Sequence, residues 1–377
     1  MHVAVRPYHP DLLKDEFFST EHVMWKTAVH TEPFIRLKEV LRQHGVEIAT
    51  WDMHPPEWAD ILYMQDLPYS RREWLQIKKR YRRARYILEL VETPNTRPYF
   101  FVKKNHQDFD AILTYNEHLC DEPRYIHSLL PHNVPVDTIH EVPFSQRKPL
   151  VMINTNLWLA ILTNRQRGMY GIPLLGRLLG GWPYPLGNLI QNENLSELYS
   201  RRRRLARSAE RECRDLLDIY GRGWDGGSRG WIYCLLPNSP YKCLVEPLIR
   251  DKSELLSRYR FCVTFENAQT NFAWITEKLF DALNAGVVPI YLGAHGISDY
   301  VWPEAFVDAR QFKGDRELLE FARDCSEEKW NELRAQGRRY LASTQAWQFT
   351  AEAYAQRVSE VILRAAEKVK APVKVQA

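Results

Sequence analysis

Apolar and polar positions change period repeatedly along the chain. Short runs rich in aliphatic, aromatic and β-branched residues at 2–5, 46–50, 59–64 and 86–91 predict strands. Between them Phe34, Leu37, Val40 and Leu41 recur at helical spacing, and Gly45 supplies a stop. After a proline-bearing stretch at 132–148, read as the interdomain linker, the pattern restarts with a strand at 150–154. Residues 260–265 predict a buried strand that turns polar at Glu266 and Asn267. A helix follows, with Thr276 as its N-cap, Ile275, Leu279, Ala282 and Leu283 on its apolar face and Gly286 at its stop, and then a strand at 287–292. That βαβ order implies parallel sheets covered by helices. Leu318, Leu319, Phe321 and Ala322 predict a further helix, and Tyr354, Val358, Ile362 and Ala365 mark one face of a last long one.

Composition adds bounds. The 377 residues allow two domains, and 45% hydrophobic with 26% charged is ordinary for a soluble globular protein, so disorder is not expected. A net charge of +4 is too mild to argue for nucleic acid by itself. Six cysteines without a C-x-x-C pair are read as reduced thiols in a cytoplasmic compartment. No signal-peptide core is seen at the N-terminus, and no apolar run reaches the ~18 residues of a membrane span. Basic character is local: IKKRYRRARY near residue 80, four arginines at 201–204, and the tail EKVKAPVKVQA. The first reads as a solvated helix face, with a membrane-surface or acidic-glycan role as its alternative, and the tail suits attraction to anionic lipid. Four arginines without interleaved aromatics make a weak nucleic-acid signal.

Candidate chemistry concentrates at two places. A helix starting near Thr276 exposes unpaired N–H groups and a partial positive charge, which favours an anion, and Lys278 adds a full charge in the first turn. Glu277 beside it is suited to accept hydrogen bonds from sugar hydroxyls; an ordinary surface Glu–Lys pair is the other reading. The strand at 86–91 runs into Glu92 and breaks at Thr93-Pro94, which sets a carboxylate at a strand's carboxyl edge, where clefts form in open α/β sheets. A turn-capping carboxylate is the alternative there. Asp108-Phe109-Asp110 has the form of a D-x-D metal motif but precedes its strand, and is read as coincidence. No cluster of histidines and cysteines has metal-ligand spacing, so no metal is expected. Residues 164–195 carry much apolar surface for a loop, suited to an acceptor cleft, a partner, a membrane or their own domain.

The stretch FENAQTNFAWITEKLFDALNAGVVPIYLG resembles the donor-binding signature of glycosyltransferase family ten, the α1,3/4-fucosyltransferases, and YLGAHGISDYVWPEAFVDARQF continues the likeness. ADILYMQDLP, YILELVETPN and FDAILTYNEHL are similar to earlier family segments, so the resemblance covers about residues 59–345. It implies a GT-B architecture, two Rossmann-like domains facing across a cleft: 1–146 for the acceptor, 147–345 for the nucleotide-sugar donor, and 346–377 as a helix returning to the first domain plus a basic tail. It implies inverting transfer of L-fucose from GDP-fucose to a hydroxyl of an oligosaccharide or lipid-linked glycan, with no metal required. Glu92 matches the family's general base, and Glu89, read as lying on the same strand face, is the reserve. Arg202, Asn267, Trp274, Thr276, Glu277 and Lys278 match donor-binding positions, with Arg202 standing for any arginine of 201–204; Lys252 also matches a family lysine, without an assigned role. The likeness suits a bacterial-type soluble or peripheral enzyme at the inner membrane face.

Two departures bear on specificity. Trp274 replaces the tyrosine that precedes (I/V)TEK, exchanging a hydroxyl for a donor-only indole, and Asn116 stands where many relatives carry arginine. The alternatives are therefore a GT-B enzyme using another nucleotide sugar and a non-catalytic glycan-binding protein on the same fold.

Overall fold

The computed structural model describes residues 1–156, 196–224 and 252–370, apart from 22, 25, 26, 29, 30, 69, 95, 96, 121, 133, 135–140, 213, 214 and 222. Residues 133 and 135–140 of the proposed linker and all of 164–195 thus lie outside the described residues, as do the 371–377 tail and three of the six cysteines; Cys120, Cys262 and Cys325 are free thiols.

The strands of the first sheet are β1 (His2–Arg6), β2 (Glu47–Thr50), β3 (Ile61–Gln65), β4 (Arg85–Leu90), β5 (Ala111–Thr114) and β6 (Tyr125–His127). They form one parallel sheet in the order β2-β1-β3-β4-β5-β6, with Val3 opposite both Ile48 and Ile61. Helices α1 (Glu32–Gln43) and α2 (Arg71–Arg80) flank it. β3 is buried throughout, as a strand covered on both faces must be, which is why its sequence is a continuous apolar run instead of an alternation. Gly45 ends α1 at φ +70°, a left-handed position where glycine carries no Cβ penalty.

A second parallel sheet follows: β7 (Lys148–Ile153), β8 (Leu217–Tyr220), β9 (Tyr259–Phe265), β10 (Val288–Leu292) and β11 (Val307–Asp308), in the order β8-β7-β9-β10-β11. Helices α3 (Tyr199–Glu212), α4 (Lys252–Ser257), α5 (Glu277–Asn284), α6 (Asp315–Asp324) and α7 (Glu327–Leu341) belong to this half. Each sheet reverses its strand order between its first and third strands, so each has a crevice at that switch point, outside the carboxyl ends of β1/β3 and of β7/β9.

The chain then returns. Helix α8 (Ala351–Lys370) lies against α1, and its Tyr354, Val358 and Ile362 share one buried core with Val3, Val5, Phe34 and Ile61. Inside this core Glu89 is buried, and one of its oxygens accepts hydrogen bonds from Tyr63, from Gln65 Nε2 at 2.8 Å and from Tyr354 Oη at 3.0 Å. Glu89 and Glu92 do not share a strand face. They are three residues apart, and β4 ends at Leu90, so Glu89 points into the core and Glu92 lies past the strand end.

Burial raises the Glu89 carboxyl above its ordinary value against the pull of those hydrogen bonds and of Arg357. A carboxyl raised by folding holds its proton better folded than unfolded. Its contribution is therefore full below the unfolded value and declines as pH rises through the folded one. Glu89→Gln, neutral at every pH, is expected to flatten that segment of the stability profile at little cost. Glu89→Ala leaves buried hydroxyls without their acceptor and is expected to cost about 1–3 kcal/mol. Thermal melts between pH 4 and 8 distinguish the two.

The D-x-D residues lie before β5, at the sheet edge opposite the crevice. Asp108 accepts hydrogen bonds from Trp74 and Lys78, and Asp110 pairs with Arg85. Arg85 also donates to the carbonyl of Lys368 at 3.3 Å, which brings the basic end of α8 beside the first strand residue after the basic turn.

Candidate functional site

The carboxyl edges of the two sheets meet through one loop. Residues 270–274, leading from β9 into α5, reach across to the first domain. The N–H of Ala273 donates to Glu117 at 3.1 Å, the carbonyl of Asn271 lies 3.0 Å from His118 Nε2, and Phe272 packs 5.6 Å from Tyr115 between ring centres. The Trp274 indole N–H donates to the carbonyl of Val91 at 3.3 Å, and Trp274 is buried in the core of the first domain. Trp274 is thus placed beside Glu92, on the opposite side of the cleft from the strand that carries it.

In the second sheet the switch point is braced from below by Arg202. Its guanidinium is buried and donates to the carbonyl of Phe265 at the end of β9, to Asn267 Oδ1 at 3.0 Å and to the carbonyl of Thr155 beyond β7. Arg202 and Asn267, matched separately to donor-binding positions, are joined here in a bridge under the crevice, and Arg202 is not a side chain standing free in it. Its neighbours differ: Arg201 pairs with Asp315, and Arg203 donates to Asn156 Oδ1 at 3.2 Å.

The start of α5 is organised by Glu266, a residue sequence reasoning marked only as the end of a strand. Its fully buried carboxyl accepts the N–H and the hydroxyl of Thr276, each at 2.8 Å. Thr276 occupies the N-cap position, yet its side chain makes no capping bond; its hydroxyl is directed to Glu266 instead. A Cβ at Gly293 would come 2.6 Å from Glu266 Cγ, so only glycine lets the carboxyl sit there. Lys278 Nζ stands 2.9 Å from Thr276 Oγ1, 3.3 Å from Glu277 Oε1 and 3.4 Å from Glu266 Oε2. One ammonium therefore serves two carboxylates at a helix start. Burial raises the Glu266 carboxyl, with Lys278 opposing.

Glu277 behaves differently. Its side chain is 58% exposed although protein surrounds it, as expected for a group lining an open cleft. Desolvation would raise its carboxyl, but Lys278, Lys252 and His132 outweigh that and hold it at about 2. Lys252, the family-matched lysine without an assigned role, begins α4 and pairs with Asp281 of α5. Across the cleft, Tyr8 follows β1 at the first switch point. Burial, then the charges of Glu277 and Glu92, push its phenol up to about 12, which sets Tyr8 within electrostatic reach of both carboxylates. Tyr8 carried no motif; only its place just after the first strand pointed to a cleft position.

The structure thus gathers Thr276, Glu277 and Lys278 around Glu266, joins Arg202 to Asn267 at the adjoining crevice, and sets Trp274 with Glu92 on the facing edge. Residues 233–360 match the model described as "Glycosyltransferase family 10 (fucosyltransferase) C-term". This is a family-ten glycosyltransferase domain. It contains β9, α5 and β10, the βαβ unit that carries the cluster around Glu266.

Curated relatives agree over short stretches. The α-(1,3)-fucosyltransferase FucT of Helicobacter pylori is 34% identical over 73 residues, 19% of this chain and 15% of that protein. The α-(1,4)-fucosyltransferase of Arabidopsis thaliana is 38% identical over 68 residues, 18% of this chain and 17% of that one. Either match spans under a fifth of the relative's length. Among solved structures, an α1,3-fucosyltransferase with GDP superposes with a TM-score of 0.52 at 13% identity, covering 98% of this chain and 89% of that one. Anabaena Alr3699/HepE in complex with UDP-glucose gives 0.51 at 9% identity, covering 97% and 100%. At such identities the likeness is one of fold, and that fold is GT-B. The residues that match the family-ten model, 233–360, fall in its second half and the start of α8.

Among the described residues, no group of three or more His, Cys, Asp or Glu is arranged to hold a metal ion, and no helix is long and apolar enough to cross a membrane.

Proposed function

We propose that this protein is an inverting glycosyltransferase that moves L-fucose from GDP-fucose to a hydroxyl of a glycan acceptor. The observation that carries the reading is the Glu266–Thr276–Lys278 cluster at the start of α5, beside the Arg202–Asn267 bridge and across the cleft from Glu92. A diphosphate leaving group needs positive charge held in place before it departs. Lys278, the first-turn N–H groups of α5 and the charge of Arg202 beneath the crevice supply it. Glu277, an acceptor at the crevice rim, and the amide of Asn267 beside the Arg202 bridge suit the hydroxyls of the sugar and ribose.

On the facing edge Glu92 is the base. It is half-buried and not consumed by the core network that occupies Glu89. It removes the proton of the acceptor hydroxyl as that oxygen attacks the anomeric carbon on the side opposite GDP, so the configuration inverts. Fixed cations do the electrostatic work for which other glycosyltransferases use a metal, so the reaction is proposed to need none. The names of the relatives support fucose as the donor sugar.

Calorimetric titration with GDP, UDP and ADP in the presence of EDTA, followed by GDP release from GDP-fucose, tests the reading. GDP is expected to bind without metal and at least ~10-fold more tightly than UDP or ADP. Tight UDP binding with none for GDP would remove fucose transfer and leave a GT-B enzyme for another nucleotide sugar. No nucleotide binding would favour a glycan-binding protein on this fold.

A further inference from the structure

Asp66 lies at the carboxyl end of β3, at the switch point of the first sheet, with φ +60°. An aspartate tolerates this left-handed region but does not favour it, so something must hold it there. Its N–H donates to the carbonyl of Glu89 at 2.7 Å, and its carbonyl faces Arg6 Nη1 at 3.4 Å. Arg6 is fixed in turn by Glu73 of α2 at 3.2 Å. This conformation turns the Asp66 side chain toward the next strand, where Oδ1 accepts the N–H of Val91 at 2.8 Å and of Glu92 at 3.3 Å.

Those two residues follow the last residue of β4 and have left the sheet ladder. Their other polar groups are also held. The carbonyl of Val91 accepts the Trp274 indole N–H, and the carbonyl of Glu92 accepts the Tyr115 hydroxyl at 2.5 Å. Two donors thus go to one buried carboxylate, and two acceptors are met by aromatic side chains, one of them from the other domain. Asp66 is buried, and burial followed by the charge of Glu92 raises its carboxyl to about 7, with the two N–H groups and Arg97 opposing. The fold keeps a carboxylate where its charge is disfavoured.

We propose that Asp66 is a positioning residue for Glu92: it grips the backbone of the segment beyond β4 so that the Glu92 carboxylate stays aimed at the acceptor hydroxyl. The proposal rests on Glu92 being the base. It takes no part in donor binding, because Asp66 belongs to the first sheet and its carboxylate accepts from the backbone of Val91 and Glu92 there.

The test compares Asp66→Gly, Asp66→Asn and Glu92→Gln in the full chain, by GDP calorimetry, thermal melting and the kcat and KM of GDP release from GDP-fucose. Glycine adopts φ +60° without strain, so Asp66→Gly removes the grip without forcing the backbone. Misplacing a base by about 1 Å costs on the order of 10²-fold. Asp66→Gly is therefore expected to lower kcat ~10- to 100-fold, with KM and GDP affinity within about twofold of wild type. Asp66→Asn retains an oxygen to accept the two N–H groups and tolerates the left-handed region, so it is expected to recover most of that loss.

Wild-type kcat in a folded Asp66→Gly overturns the proposal, as does a loss seen mainly in KM or GDP affinity. An Asp66→Asn variant as impaired as the glycine one overturns it too, since charge and not the grip would then matter; this arm decides if Asp66→Gly proves unfolded. Glu92→Gln separates the two readings. If it keeps full activity, the base assignment itself fails. If it is inactive while Asp66→Gly is unimpaired, the base stands and the positioning role falls.

Discussion

Glu92→Gln is expected to lower turnover of GDP-fucose by ~10²- to 10⁴-fold, the range over which a positioned general base contributes. GDP affinity should hardly change, because Glu92 stands on the first sheet and the donor cluster on the second. Nor should the melting temperature. The Glu92 side chain is half-buried, and its backbone N–H and carbonyl bonds to Asp66 and Tyr115 survive the substitution. Glutamine keeps the shape and the acceptor oxygen while abolishing the basic site. A fall in kcat with unchanged GDP binding identifies proton removal. A parallel loss of GDP binding would assign Glu92 to the donor instead, and full activity would return the search for a base to the cleft around Tyr8.

Lys278→Ala is expected to weaken GDP binding and to lower kcat together, the latter by ~10²- to 10³-fold, as for the loss of one preorganised group that stabilises a leaving anion. The reason lies in what the ammonium neutralises. Lys278 is the nearest cation to both Glu266 and Glu277, and it heads the charges that hold Glu277 at about 2. Without it, Glu266 and Glu277 would lose the ammonium paired with both, and Lys252, His132, Arg202 and the helix start would be left to offset their charges near the diphosphate. A second readout follows from the same charge. A carboxyl depressed in the fold contributes stability that is present above its unfolded value, near 4.5, and is lost as pH falls through the depressed one. Removing Lys278 lets the Glu277 carboxyl rise, so acid unfolding should begin at higher pH in the variant. An acid titration of circular dichroism measures this. Retained GDP affinity in Lys278→Ala would move the donor phosphates away from the α5 start.

Much of this architecture was written in periodicity. The runs at 2–5, 46–50, 59–64 and 86–91 became β1 to β4 within a residue or two, and the apolar face of 275–283 became the buried side of α5. What periodicity cannot carry is which chain-distant groups share a hydrogen bond. Arg202 and Asn267 are 65 positions apart, and Trp274 and Val91 are 183 apart; local pattern is silent at such separations. Glu266 was hidden for a related reason. A carboxylate ending an apolar strand reads as the point where burial stops, whereas here it is fully buried, held by Thr276 and Lys278. Asp66 lay within a segment noted only for its resemblance, and its role depends on a left-handed backbone that aspartate does not announce. Trp274, read by likeness as a donor-pocket residue, is a cross-domain contact in the structure. Its exchange for tyrosine therefore bears first on how the domains meet.

The return of α8 to the first domain also governs how the protein is made. Val3, Val5 and Phe34 leave the ribosome early, but Tyr354, Val358 and Ile362, which complete their core, are synthesised more than 300 residues later. The second domain can close its own sheet from β7 onward while the first still exposes the face that α8 will cover. Contacts so distant in sequence slow folding, and incomplete cores attract chaperones and aggregation. Truncation within α8 would thus be felt first in yield, through a first domain synthesised whole but unable to finish its core.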